Sequence, residues 1–246
     1  MQHIHQHDNI ALVVCKHLAT NDWNLVGVAD CLVDDCFVSS RTKERGYVFP
    51  LYLYQDTLGN VEKVANFDKD VFGRIADGLK RKPSPEELFD YIYAVLHTPE
   101  YRERYREFLK VDFPRIPYPA NAAVFKKLAK IGGELRETHL LKAKPTASER
   151  NRIANFPKGG GNAVEDVRFA NGKVYINDEQ YFDHVPEEAW GMFIGGYQPA
   201  QKWLKDRKGR VLSNEDTDHY QEIVFALVRT RALMQKLSTL SKEWLG

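Results

Sequence analysis

The stretch from Lys142 to Gly161 constrains the architecture most, because it divides the apolar patterning of the chain in two. It carries Lys142, Lys144, Arg150, Arg152 and Lys158 against Glu149 alone, and it ends in Gly159-Gly160-Gly161. A polar run closed by glycines is costly to order. Residues 142–161 are therefore expected to be a basic, glycine-rich flexible linker between lobes at 1–141 and 162–246. The triple glycine resembles a phosphate loop only superficially, since it lacks the GxxxxGK[ST] spacing and no strand leads into it. A chain of 246 residues is long enough for one large domain or two small ones.

In the first lobe, Asn9–Lys16, Trp23–Ala29, Cys31–Ser39 and Tyr47–Tyr54 are apolar runs of strand length. Pro50 inside the last predicts an edge or a bulge. Asp56–Asn60 is a polar turn, so the first sixty residues predict a small, mostly antiparallel sheet. Helical spacing follows over Asn66–Leu79. Ser84-Pro85-Glu86-Glu87 then starts a second helix, with Ser as N-cap, Pro at the first helical position and a reciprocal Glu. Thr98-Pro99-Glu100 starts a third, running to Lys110. The three prolines of DFPRIPYP (112–119) impose an extended segment. Asn121–Leu141 returns to helix, and Gly132-Gly133 in its middle predicts a kink or a close neighbour.

In the second lobe, Asn171-Gly172 between two apolar alternations predicts a hairpin over Val164–Ile176. Gln180–Phe182 adds a short strand, and Met192–Ile194 reads as strand-like. Ala200–Leu204 is helical, and Ser213–Asp216 caps a final helix to about Leu237. The fold class is α+β: a small, mostly antiparallel sheet followed by a helical layer, then a second small β lobe and a long C-terminal helix.

The chemistry concentrates in Trp190–Arg210. Lys202, Lys205, Arg207, Lys208 and Arg210 face Asp206 alone, in a chain of net charge +1. Glycines that free the backbone, an aromatic and an amide beside them, and a cationic loop suit close approach to a polyanion. A solvated surface turn is the plain alternative. Near-neutral total charge excludes a histone-like protein, so binding to nucleic acid has to come from local patches. The motifs of serine hydrolases, zinc proteases, P-loop and dinucleotide folds are absent.

Asp34-Asp35 is the carboxylate pair with a conceivable acid/base or metal role. Glu86-Glu87 and Glu187-Glu188 stand at helix starts, where the macrodipole accounts for them. His3, His5 and His7 alternate near the start, where a polar strand or frayed end is expected. Cys15, Cys31 and Cys36 form no CxxC pair, fit reduced cytosolic thiols, and are each expected to be buried and inert. Neither a membrane-length apolar run nor a signal peptide is present. The expected location is cytoplasmic, and a strand pattern beginning so soon after Met1 is expected of a segment of a longer polypeptide.

Three stretches carry a resemblance. YVFPLYLY (47–54), ELFDYIYAVLHTPEYRERYREFLKVDFPRIPYP (87–119) with ELRETHLL (134–141), and FIGGYQPAQKWLKDRKGRVLSNEDTDHYQEIV (193–224) resemble the C-terminal target-recognition (specificity) domain of type ISP restriction–modification enzymes and related adenine-specific DNA methyltransferases. The resemblance implies a sequence-specific reader of double-stranded DNA beside the adenine-N6 methyltransferase domain of a parent polypeptide. S-adenosylmethionine belongs to that domain, and ATP and Mg2+ are further expectations for modules outside this chain. The chain departs from the complete architecture in lacking an NPPY-type motif, a glycine-rich cofactor loop and any Walker or nuclease signature. No catalysis, cofactor or metal site is therefore expected in it.

On this reading, Arg41, Lys43, Arg45, Arg150, Arg152, Lys202, Lys205, Arg207, Lys208 and Arg210 contact phosphates, which set register and affinity. Tyr197 and Gln198 are the candidates for base edges. The helices at 84–110 and 121–141 are scaffold. Two other classes stand beside this: a protein-docking module without specific DNA binding, and an independent enzyme built on Asp34, Asp35 and a histidine.

Overall fold

The computed structural model describes residues 2–17, 23–39, 42–57 and 60–245. The chain divides into two compact units, Met1–Leu140 with Leu233–Gly246, and Leu141–Ala232. The architecture is α+β, as the patterning predicts.

The first unit opens with a short helix, α1 (Gln2–His5), where a polar strand is expected. The His3 ring accepts from the Tyr54 N–H at 3.1 Å and the His7 ring stacks on Tyr54 at 3.8 Å. Strands β1 (Ala11–Cys15), β2 (Val26–Ala29) and β3 (Gly46–Pro50) form an antiparallel sheet of order β2-β1-β3. The expected Tyr47–Tyr54 strand divides at buried Leu51, whose N–H turns to the Ile10 carbonyl at 2.8 Å. Its second half, β4 (Tyr52–Thr57), pairs with β5 (Asn60–Ala65) in a separate hairpin, with Thr57 opposite Asn60. Pro50 thus sits at the end of an edge strand, where its missing N–H costs nothing. The predicted Asp56–Asn60 turn is narrower than expected, since Asp56 and Thr57 belong to β4 and Asn60 to β5, whose four exposed residues of six give no apolar run to read. Leu58 and Gly59 of the predicted turn lie outside the described residues.

Cys31–Ser39 is not a strand. The Asp34 carboxylate accepts from the Cys36 N–H at 2.9 Å and the Asp34 carbonyl from the Phe37 N–H at 3.0 Å. An Asp-initiated turn outcompetes the ladder here. Cys31 is accordingly exposed and Cys36 half-buried, whereas Cys15 is buried and its thiol is pushed up to about 12 by desolvation.

Helix α2 (Lys69–Leu79) is capped by Asp68 and α3 (Pro85–His97) by the reciprocal Ser84–Glu87 box. The expected helix 98–110 breaks at Tyr105 into α4 (Pro99–Arg104) and α5 (Arg106–Leu109). Helix α6 (Ala122–His139) crosses α3 at Gly132, where a Cβ would fall 1.8 Å from the Asp90 carbonyl oxygen. The glycine therefore serves close approach. The Asp90 carboxylate also receives Arg136 of α6 at 2.7 and 3.2 Å. The extended 112–119 segment is pinned by the Tyr91 hydroxyl on the Pro117 carbonyl and the Tyr101 hydroxyl on the Arg115 carbonyl, at 2.9 and 2.8 Å.

The second unit holds α7 (Ala147–Arg152), the antiparallel sheet β6 (Arg168–Ala170), β7 (Lys173–Tyr175) and β8 (Tyr181–Phe182), then α8 (Glu187–Trp190) and α9 (Pro199–Lys205). Helix α10 (Asn214–Ser241), started by a reciprocal Ser213–Asp216 cap, belongs to this unit as far as Ala232. Asn171 and Gly172 both have positive φ, 51° and 75°, as a type I′ hairpin turn requires. Phe182, Tyr220, Leu204 and Val224 are in this unit's core, while Leu233, Leu237 and Leu240 of α10 belong to the core of the first unit.

The segment 142–161 is not a free linker. Thr146 and Glu149 form a capping box for α7, and the glycine run closes over the buried side chain of Gln180. The Gln180 amide donates to the Lys158 carbonyl and the Asn162 side chain at 2.9 and 2.7 Å, and its oxygen accepts from the Asn162 N–H at 2.8 Å. A fully partnered buried amide fixes the backbone around it.

Candidate nucleic-acid interface

The basic loop of the second unit is built on a tight turn. Ile194 and Tyr197 exchange backbone hydrogen bonds at 3.0 and 3.4 Å across Gly195, whose φ is 57°. Met192–Ile194 is therefore the arm of a turn and not a strand. Gln198 occupies the N-cap position of α9, and its side-chain N–H donates to the Gly191 carbonyl at 3.1 Å. Tyr197 is half-buried.

Helix α9 buries Ala200 and Leu204 and presents Lys202 and Lys205 outward. Lys202 pairs with Asp206 at 2.7 Å, and Lys205 donates to the neutral Gln201 side chain at 3.2 Å. Arg207 lies 3.5 Å over the Trp203 ring, donates to the Trp203 carbonyl at 3.1 Å and reaches the Asp216 carboxylate at 3.5 Å. The Ser213 N–H, with Arg207 added, holds the Asp216 carboxyl below its usual range. Trp203 packs partly buried on the core. Arg207 is thus an internal brace of the loop.

Lys208 and Arg210 are exposed, and among the described residues neither side chain has an ion-pair partner. The backbone carrying them is clamped to the glycine-rich segment. Gly209 N–H donates to the Val164 carbonyl at 2.7 Å, Val164 N–H to Arg210 at 2.8 Å, and Leu212 N–H to Asn162 at 2.9 Å. Gly209, with φ of 81°, supplies the turn. Three cations, Lys205, Lys208 and Arg210, consequently project from a fixed backbone with no carboxylate on them. That arrangement loses little backbone conformational entropy on meeting an anion.

The remaining predicted cations divide. Arg150 is tied to Asp218, Gln221 and Glu222 at 3.2–3.3 Å, and Lys144 also reaches Glu222 at 2.6 Å. Arg150 is a strut between α7 and α10. Arg152 is exposed, close enough to Glu149 to help lower that carboxyl, which the Thr146 N–H lowers most. In the first unit Lys43 is exposed in a turn with φ of 57°, and Arg45 pairs with Asp35 at 3.2 Å. Arg41 lies outside the described residues. Asp34 and Asp35 are thereby occupied on a surface turn, and no group of three metal-ligating side chains gathers among the described residues.

Reading along the chain misses one further surface. On β6–β8, Arg168 lies 3.9 Å over Tyr175 and Lys173 4.1 Å over Tyr181, with Tyr175 paired to both Arg168 and Tyr181 in register. The alternation in RFANGKVY carries the signal. Asp166 and Asp178 approach Arg168 at 3.8 and 4.0 Å, and Asp183 acts on Lys173, so this face offers a polyanion no net attraction.

The model of one family, described as the Type ISP C-terminal specificity domain, matches residues 1–236. No curated protein matches. Among solved structures, the ATP-dependent Type ISP restriction-modification enzyme LlaBIII bound to DNA is similar with a TM-score of 0.70 and 18% identity, over 94% of this chain and 16% of that chain. A DrdV–DNA complex gives 0.65 and 21%, over 96% and 24%. A nuclease-deletion mutant of the Type ISP enzyme LlaGI, in complex with a DNA substrate mimic, gives 0.64 and 17%, over 94% and 21%. The chain therefore spans a quarter or less of each of these proteins. No helix among the described residues is long and apolar enough to cross a membrane.

Proposed function

Because the chain belongs to the Type ISP C-terminal specificity domain family, we propose that it reads a target sequence in double-stranded DNA for a restriction–modification enzyme and performs no catalysis itself. Methyl transfer to adenine N6 with S-adenosylmethionine, and any step using ATP and Mg2+, then belong to other modules of the parent polypeptide, its methyltransferase domain among them. The observation that carries this reading is the clamped loop with Lys205, Lys208 and Arg210 free of carboxylates.

In this mechanism the three side chains meet phosphates and release condensed counterions, which fixes the register of the protein on the duplex. Arg207 stiffens the loop through Trp203 and Asp216. Gln198 uses one amide N–H on Gly191. Its second N–H and its oxygen remain for the N7 and N6 edge of an adenine, a pairing worth about 1–3 kcal/mol of discrimination. Tyr197 beside it fills the groove next to that base.

The test is duplex binding by the chain with Lys205, Lys208 and Arg210 all changed to Ala. The slope of log affinity against log salt should fall by about 0.9 for each phosphate contact removed, for every sequence alike. Wild-type slope and affinity in the triple variant would remove the loop from the interface.

A further inference from the structure

The first unit carries a second cluster of only partly neutralised cations, assembled by tertiary structure from two stretches more than forty residues apart. Lys80 caps α2 in the left-handed conformation, φ 55°, and Lys82 follows in the turn before the Ser84 box. Between them Arg81 is fixed. Its guanidinium makes two 2.8 Å bonds to Glu87 and lies 5.5 Å from the Phe125 ring of α6. This contact brings the turn to the start of α6, where Lys126 and Lys130 stand one helical turn apart and exposed. Lys126 adds to Arg81 and the Ser84 N–H in lowering the Glu87 carboxyl, as proximity requires.

The surrounding acids cancel these charges only in part. Glu87 is paired with Arg81, while Glu86 keeps its charge, receiving a hydrogen bond from the neutral Tyr52 hydroxyl with Lys63 nearby. Lys127 is separately paired with Glu243 at 2.8 Å. Asp77, exposed on α2, is the remaining carboxylate beside Lys80. Among the described residues, the carboxylates near Lys80, Lys82, Lys126 and Lys130 are Asp77, Glu86 and, one helical turn after Lys130 on α6, Glu134. Helix α6 also has no acid in its first turn, and its second turn carries Lys126 and Lys127 toward the positive end of the dipole. Local electrostatics disfavours that placement, and such a broken rule is expected where a site has a use for it.

We propose that Lys80, Lys82, Lys126 and Lys130 form a second phosphate-contact site for the duplex, with Lys126 and Lys130 on a helix that the sequence reads as scaffold and Lys80 and Lys82 in the turn that precedes another. The inference rests on the DNA reading of the chain. It assigns these lysines to affinity and positioning, without base discrimination.

The experiment compares the intact chain with K80Q/K82Q/K126Q/K130Q, with the same four positions changed to Arg, and with the loop triple variant. Each is titrated with one duplex between about 50 and about 200 mM salt. The Gln variant should lose about 2–4 from the salt slope, at about 0.9 per phosphate, and bind all sequences more weakly. The Arg variant should keep the wild-type slope, and unchanged melting curves exclude misfolding. A wild-type slope in the Gln variant, while the loop variant's slope falls, overturns the second site and leaves the function standing. Absence of salt-sensitive binding by the wild-type chain overturns both.

Discussion

Changing Gly132 to Ala tests the packing that holds the first unit together. An added Cβ would lie 1.8 Å from the Asp90 carbonyl oxygen and 2.6 Å from its carbonyl carbon. Both are backbone atoms of α3, and the Asp90 side chain is anchored by Arg136, so no rotamer change relieves the clash. The helices have to part by about 1 Å or more. Across that seam Phe125, Leu128 and Leu135 of α6, and Tyr93, Ala94 and Val95 of α3, are fully buried. A gap of about 0.5–1 Å forfeits a quarter to a half of each dispersion contact. Overpacking of this kind costs about 1–3 kcal/mol, and a backbone clash belongs at or above the top of that range. Helix propensity returns about 1 kcal/mol for Gly→Ala. The net loss should be about 2 kcal/mol or more. Gly73→Ala in α2 is the control, since nothing lies within 4 Å of its added methyl. There only the propensity gain of about 0.5–1 kcal/mol remains. Urea unfolding followed by far-UV circular dichroism should therefore move the two midpoints in opposite directions. A Gly132→Ala protein as stable as wild type would refute the close-approach argument.

Two further outcomes follow from buried and paired charges. Burial lowers His97 well below its ordinary value and lowers His139 to about 4, so both are neutral in the folded chain. The unfolded chain binds those protons near pH 6.5, so stability is complete above that pH and falls below it, at about 1.4 kcal/mol per pH unit for each histidine. Urea midpoints at pH 8, 6.5 and 5 should show a plateau and then a drop, and equal midpoints at 6.5 and 5 would contradict the assignment. Arg150→Ala should destabilise the second unit by about 1–2 kcal/mol, through three lost partners on α10, and leave the salt slope of duplex binding unchanged. A slope reduced by one contact would return Arg150 to the phosphate set.

Local chemistry was legible along the chain wherever one short segment decides the outcome. Ser84 with Glu87, and Asn171 with Gly172, each contain the groups that satisfy their own backbone, and the structure uses them as their spacing predicts. The resemblance in YVFPLYLY, 87–119 and 193–224 is borne out by the family match. What long-range contacts decide was not legible. The end of the polar 142–161 segment is held by Gln180, roughly twenty positions away, which nothing in its own composition announces, whereas the Thr146–Glu149 capping box was there to be read. Charge counting has the same blind spot. Arg45, Arg150 and Arg207 look like free cations in sequence, yet Asp35, Asp218 with Glu222, and Asp216 reach them through the fold. Conversely, Lys80–Lys82 looks like a helix stop until Arg81 and Phe125 bring α6 beside it.

The division of the chain also sets an order of assembly. The first unit is discontinuous: residues 141–232 are inserted between Leu140 and Leu233, and Leu233, Leu237 and Leu240 return to its core. A ribosome therefore finishes the inserted unit before it supplies the residues that seal the earlier one. Domains made in simple succession fold from the N-terminus onward, but here the core of the first unit waits, with apolar surface exposed, for the end of α10 to emerge. For recombination the same layout has the opposite merit. The segment 141–232 begins after α6 and ends inside α10, so exchanging it between relatives with α10 kept in register transplants the clamped basic loop and Gln198 without cutting the host sheet or the α3–α6 pair.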